Sequence, residues 1–376
     1  MNIQMKSPFG TFCLNRYPHL KKQLLRAWDA ADEYLLNELN VKSNELDSKN
    51  ILIFNDAFGA LSTALSRYNP TVVTDSIVAK SAIIKNLQNN NLLITSVNII
   101  SSLDALRDKY DLILIKLPKS MDYLRFFIDQ ISSHIDENTS IIVAGMLKSM
   151  PKTTWKLLEN SLGSTQTSLA VKKAKLIRVK ADNINTHCDY PCTYIQENSN
   201  FKIYNHANVF SKKSLDIGTR FLLQNLPQLE NVKNIIDLGC GNGVVGLNLI
   251  NHYPQAHVMF TDESYMAVES ARLTLSHNNI DYQKHTFKVN NCLDGIEKES
   301  VDLIVCNPPF HESHSIGIHI ALNMFQQSYN TLKSKRYFLV IANRHLPYYA
   351  HLKRIFKHVE NIASNKKFSI FLMQKN

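Results

Sequence analysis

The chain has 376 residues, 44% of them hydrophobic, with 42 Lys and Arg against 32 Asp and Glu. That length exceeds one ordinary core, and the apolar fraction excludes a disordered chain, so two globular domains are expected. The formal charge of +10 calls for a polyanionic partner, and no apolar run is long enough to span a bilayer.

In chain order, the opening segment MNIQMKSPFGTFCLNRYPHL lacks the basic-then-apolar layout of a secretory signal. Next comes NILIFNDAFGALSTAL (50–65), a strand, a turn and a helix. TVVTDSIVAKSAIIKNLQNN (71–90) repeats that plan, and YDLILIKLPKS (110–120) adds a further strand. The polar stretch ADNINTHCDYPCTYIQENSN (181–200) is the expected boundary region. Beyond it, NIIDLGCGNG is strand then glycine turn, and VVGLNLINHY opens a helix. AHVMFTDES and YMAVESARLTLSHNN form the next strand and helix. HTFKVNN, VDLIVCNPPF and RYFLVIAN are three more strands, and HVENIAS with KFSIFLMQK is a terminal hairpin. Strands alternating with helices predict an α/β fold with a parallel sheet and ligands at the carboxyl ends of the strands.

The two halves follow one pattern. Residues 50–65 echo NIIDLGCGNGVVGLNL, residues 71–90 echo VMFTDESYMAVESARLTLSHNN, and residues 110–120 echo VDLIVCNPPFH. This order places Asp75 opposite Asp262 and predicts an internal duplication. The first copy keeps only Gly59 of the glycine turn and has Lys-Leu-Pro-Lys where the second has Asn-Pro-Pro-Phe. It is expected to keep the fold and lose the pocket chemistry.

Charge is unevenly spread. Met146 to Lys180 holds eight Lys or Arg and one acid, and Leu332 to the C-terminus holds ten and one. Aromatic residues interleave with both runs, Trp155 in the first and Tyr337, Phe338, Tyr348 and Tyr349 in the second. Cations mixed with stacking groups favour nucleic acid over a membrane surface. The six cysteines form no repeating framework, so a reduced, cytoplasmic chain is expected. The segment HCDYPC (187–192) has no second ligand pair at metal-binding spacing, and no metal site is expected.

The glycine turn admits two readings. Gly241, Gly243 and Gly246 fit G-x-G-x-x-G with Asp262 at the spacing of a ribose-binding acid, which alone points to a nicotinamide cofactor. Gly239, Gly241 and Gly243, preceded by Asp237 at the strand end, resemble instead the first motif of Rossmann-like S-adenosylmethionine (SAM) methyltransferases. SAM carries no phosphate but has a cationic amino group, which an acid such as Asp237 suits. The glycines let backbone approach closely, and Asp262 accepts from ribose hydroxyls in either reading.

Asn-Pro-Pro-Phe chooses between them, because it resembles the signature of SAM enzymes that methylate a planar conjugated nitrogen. Such a nitrogen has its lone pair drawn into the π system. The Asn307 side-chain oxygen and the Pro308 carbonyl can each accept one N–H, favouring a pyramidal nitrogen aimed at the methyl donor. Phe310 can stack on the acceptor.

With these motifs in order, the chain resembles the bacterial ribosomal RNA guanine-N2 methyltransferases, and within them the large-subunit (23S) type. The resemblance is carried by AWDAADEYLL (27–36), NDAFGALS (55–62), KKAKLI (172–177), NHANVFS (205–211), LDIGTRF (215–221), DLGCGNGVVGL (237–247), CNPPFH (306–311) and ANRHLPYY (342–349). It implies two tandem Rossmann-like class I SAM-methyltransferase domains. Residues 1–190 would be a degenerate, RNA-positioning domain and residues 200–376 the catalytic one. The implied reaction moves a methyl from SAM to the exocyclic N2 of one guanine in 23S ribosomal RNA, leaving S-adenosylhomocysteine. The resemblance also implies adenine contact by Asn291 and pocket roles for Phe210, Asp216 and Gly218, in a segment that closes over the cofactor. A cytoplasmic monomer needing neither metal nor membrane completes the expectation. Rivals stand beside it: a small-subunit ribosomal RNA enzyme, a glutamine-N5 methyltransferase of a release factor, an adenine-N6 methyltransferase, and a non-catalytic RNA-binding assembly factor.

Overall fold

Runs of aliphatic residues covered on both faces make the strands of this chain. Ile51–Phe54 is buried at every position, as is Val301–Cys306, the pattern of parallel strands sandwiched between helices. The computed structural model describes residues 3–19, 25–41, 43–309 and 314–376. The chain divides into two units, Met1–Tyr190 and Pro191–Asn376, each with its own seven-stranded sheet.

In the first unit the strands lie in the order Asn98–Ser101, Thr71–Thr74, Ile51–Phe54, Leu112–Lys116, Ser140–Met146, Ala174–Lys180 and Thr165–Thr167. In the second the order is Thr286–Val289, His257–Asp262, Asn234–Leu238, Val301–Cys306, Leu332–Asn343, Phe368–Gln374 and His358–Ser364. Counted along each unit, both sheets run third, second, first, fourth, fifth, seventh, sixth. The first five strands are parallel, and the seventh runs antiparallel between the fifth and the sixth. Phe368–Gln374 therefore lies inside the terminal hairpin, paired on both sides. Strand order reverses between the first and fourth strands, which opens a crevice at their carboxyl ends.

Alternation along Val301–Cys306 sends Leu303 and Val305 to one face, with Leu247, Val258 and Phe260, and Ile304 and Cys306 to the other, with Phe325 and Phe338. The duplication expected from the sequence is present in the turns as well as the strands, except that Thr74 and not Asp75 takes the place of Asp262: the Ser102 N–H donates to the Thr74 carbonyl as the Asn290 N–H does to that of Asp262. Gly59 and Gly243 each precede a helix, Ala60–Ala64 and Val244–His252, with φ of 79° and 78°. Both lie against the following helix. A Cβ at Gly59 would sit 3.0 Å from the Ile83 Cα, and one at Gly243 would sit 2.8 Å from the Ala271 Cα. Two hairpins stand outside the sheets, Gln4–Ser7 with Gly10–Cys13 and Cys192–Ile195 with Lys202–Asn205. Among the described residues no helix is long and apolar enough to cross a membrane.

Candidate active site

The crevice of the second unit is framed by the turn that follows Asn234–Leu238. Gly239, Gly241 and Gly243 all have positive φ, which L side chains adopt at a cost. Gly243 is required by the helix packed against it. Gly241 is different, because a Cβ there would meet nothing within 4 Å. Its bare backbone faces open space, as close approach by a ligand requires.

Two acids brace this turn from neighbouring strands. The Gly241 N–H donates to Asp262 Oδ2 (3.0 Å) and the Ser264 N–H to Asp262 Oδ1 (3.0 Å), so one carboxylate spans the turn and the next helix start. Asp237 is 2% exposed, and its Oδ2 accepts from the Gly246 N–H at 2.8 Å. Burial, with the charge of Asp262 adding to it, pushes the Asp237 carboxyl up to about 7. No other described residue bonds to Asp237, which leaves an oxygen for a cationic partner. Burial raises the thiols of Cys240, Cys292 and Cys306, so none of the three supplies a thiolate.

Asn307 follows Val301–Cys306 directly, across the crevice. Its Nδ2 donates to Thr219 Oγ1 at 2.9 Å. Its Oδ1 is shielded from solvent and has no hydrogen-bond partner among the described residues. A buried acceptor left unpaired costs about 1–3 kcal/mol, so this atom is set to receive a donor that the protein does not provide. Thr219 belongs to the helix Ile217–Leu223, whose N-cap is Asp216. Asp216 Oδ2 accepts from the Thr219 N–H (2.9 Å) and from the Thr219 hydroxyl (3.3 Å). Pro308 is buried beside Asn307, and Phe310 lies outside the described residues.

The remaining expected residues are placed as follows. Asn291 comes two residues after Thr286–Val289 and is half-buried. Its Nδ2 is held by Asp294 Oδ2 at 2.8 Å, and the neighbouring Asn290 N–H donates to the Asp262 carbonyl at 2.8 Å. Gly218 has protein on its open side, with Asp216 Oδ2 at 3.0 Å and Phe368 Cε1 at 3.3 Å from a built Cβ, so packing accounts for its small size. Phe210 is 59% exposed on the segment leading to the Asp216 helix. That segment starts at the Lys202–Asn205 strand and passes the helix Tyr265–Ser276. There the His206 N–H donates to Ser270 Oγ (2.9 Å) and the Asn208 N–H to Met266 Sδ (3.3 Å).

Two contributors escaped the sequence reading. Thr219 was visible only as the third residue after an N-cap Asp. Asn242, inside the glycine turn, donates to Asn205 Oδ1 at 2.9 Å and so ties the turn to the hairpin that precedes it. Nothing in the pattern of either residue marked these contacts, because each partner lies tens of residues away in the chain.

The first unit occupies the same positions with different chemistry. Lys116 stands where Asn307 does, and its Nζ lies 2.8 Å from both Asp29 Oδ1 and Asp32 Oδ1. Asp56 accepts from the Gly59, Ala60 and Ser62 N–H groups and the Ser62 hydroxyl, filling the start of the helix with the chain's own carboxylate. Neither the free acceptor nor the open glycine backbone of the second unit is present there.

Known families match the two units separately. Residues 2–183 match the family model described as RLMG N-terminal domain, and residues 200–372 match Methyltransferase small domain. The chain is 42% identical to the ribosomal RNA large subunit methyltransferase G of Pseudoalteromonas translucida, covering 100% of this chain and 99% of that one. It is 44% identical to the protein of the same name from Photobacterium profundum, covering 96% of each. Among solved structures, it resembles the T. thermophilus 16S rRNA N2 methyltransferase RsmC, determined with AdoMet and guanosine. The TM-score is 0.77 at 17% identity, covering 99% of this chain and 97% of that one, a likeness of fold.

Proposed function

The chain belongs to the ribosomal RNA large subunit methyltransferase G family, and from that premise we propose that Asn307 is the group that receives the target amine. The protein is a SAM-dependent enzyme that methylates the exocyclic N2 of a guanine in 23S ribosomal RNA, giving N2-methylguanosine. The observation that carries the assignment of Asn307 is its Oδ1, a buried acceptor without a partner among the described residues.

The donor set fits SAM. Asp237 offers a carboxylate oxygen to an ammonium, Asp262 braces the turn at the end of the second strand where a ribose diol is held, and Gly241 gives backbone access. Bound there, SAM supplies an electrophilic methyl group. Asn307 Oδ1 and the Pro308 carbonyl accept the two N–H groups of the guanine amine, which turns the nitrogen lone pair out of the ring plane and toward the transferred carbon. No side chain needs to remove a proton first, because the nitrogen loses its proton only as the new C–N bond places positive charge on it. Phe310, two residues after Pro308, is the proposed stacking group for the guanine, and Asn291, Phe210 and Asp216 complete the cofactor pocket. The guanine must leave any helical stack, at a cost of a few kcal/mol that is smallest in irregular RNA.

On this reading residues 200–376 carry the chemistry and residues 1–190 position RNA. The enzyme acts in the cytoplasm as a monomer, and a chelator leaves its rate unchanged. The test is transfer of labelled methyl from SAM to unmodified large-subunit RNA, small-subunit RNA and a release factor, with Asn307→Ala alongside. We expect N2-methylguanosine in the large-subunit RNA only, reduced about 100-fold or more by Asn307→Ala. Label in the release factor alone would move the chemistry to a protein amide.

A further inference from the structure

The amide of Asn307 can work only one way round. Turned over, it would present NH2 to the guanine amine, donor against donor, and no lone pair would be steered. What fixes its orientation is therefore part of the catalyst. We propose that Thr219 is the positioning residue that sets it, an inference that rests on Asn307 being the amine acceptor.

The argument follows the proton on one hydroxyl. Asp216 Oδ2 accepts the Thr219 backbone N–H at 2.9 Å and the Thr219 hydroxyl at 3.3 Å. A carboxylate only accepts, so the single hydroxyl proton points at Asp216 and the oxygen lone pairs point away. The Asn307 group at 2.9 Å from that oxygen must then be the donor, Nδ2, and Oδ1 is left as a buried acceptor with no partner among the described residues. The order Asp216, Thr219, Asn307 is a one-way chain that leads from an acceptor-only carboxylate to a buried, unpaired amide carbonyl two groups away.

The first unit supports this reading independently. There the helix Ala30–Asn40 has Asp29 as N-cap and Asp32 as third residue, matching Asp216 and Thr219, and Lys116 matches Asn307. The tie between helix and strand tip is kept, at 2.8 Å between Asp32 Oδ1 and Lys116 Nζ. In that copy the tie is an ion pair, in which neither partner has two faces to orient. In the second unit it joins a hydroxyl to an amide, the pairing in which orientation matters.

Thr219→Val keeps the shape and removes the acceptor, Thr219→Ala removes it without added bulk, and Thr219→Ser restores the hydroxyl. Each is measured for single-turnover methyl transfer to 23S ribosomal RNA at saturating SAM, for SAM affinity by calorimetry, and for melting temperature. We expect Thr219→Val and Thr219→Ala to slow transfer by about 10–100-fold with SAM affinity unchanged, and Thr219→Ser to recover most of the rate. Transfer at the wild-type rate in Thr219→Val, a serine variant as slow as valine, or loss of SAM affinity in step with the rate would each overturn the proposal. If the wild-type protein itself transfers no methyl to this RNA, it is the assignment of function that fails.

Discussion

At the scale of single residues, the glycine turn separates two demands that the sequence presents as one motif. Gly243 is small because Ala271 is in the way, and Gly241 is small although nothing of the protein is in the way. Gly243→Ala is expected to lower unfolding free energy by about 1–3 kcal/mol, through backbone strain and the collision, in a denaturant titration. Gly241→Ala should cost about 1 kcal/mol for the left-handed backbone alone, while weakening SAM binding by more than that. Asp237 gives a second contrast. Its carboxyl is held near 7 against an ordinary 3.8, so between those values the native state binds more protons than the unfolded chain. Stability of the free protein therefore rises as pH falls through that window. In the role proposed for Asp237 the SAM ammonium needs the ionised acid, so SAM affinity should fall as pH falls through about 7. The two readouts move in opposite directions, and Asp237→Asn should flatten both.

Among elements, the tie between a helix start and a strand tip recurs in both units, and in the first it can be tested as pure structure. Lys116 is the counter-charge that keeps Asp32, raised by burial to about 6, from rising further. Lys116→Met leaves Asp32 buried and unpaired, and should cost about 3–5 kcal/mol above the carboxyl's titration range and less below it, where the acid is neutral. Unfolding midpoints at the two pH extremes check this. These elements also show what the sequence made legible. The parallel strands and the glycine turn could be read directly, because buried strands are continuous apolar runs and the turn needs glycine. The helices Ala30–Asn40 and Ile217–Leu223 carry no comparable signal of their own, since one is polar for its length and the other is seven residues long. Thr219 was missed because its role comes from two partners, and Asn307, the partner that matters, lies 88 positions away. Local pattern reports what a segment buries, and it cannot report which polar atoms meet across the sheet.

For the whole molecule, the dominant quantity is charge. A formal +10, concentrated in runs near the end of each unit's sheet, predicts RNA binding driven by counterion release. The logarithm of the affinity for ribosomal RNA should fall linearly with the logarithm of salt concentration, with a slope of about 0.7 per phosphate contacted on single-stranded segments. Neutralising Lys148, Lys152 and Lys156 together should reduce that slope by about 2 to 3 without changing methyl transfer to a guanine already bound. A filter-binding titration over salt measures the first, and single-turnover kinetics the second.

The repeated architecture also means that the protein carries its own control. What both units keep, such as the strand order, the glycine before the helix and the helix-to-strand tie, is what the scaffold requires in order to stand. What only the second keeps is, on the proposed reading, what catalysis requires. Ile53, Asn55, Ala57 and Lys116 hold the places of Asp237, Gly239, Gly241 and Asn307, on a frame whose register already matches. The dormant half is thus a catalogue of the few positions at which an ordinary α/β sheet becomes an enzyme.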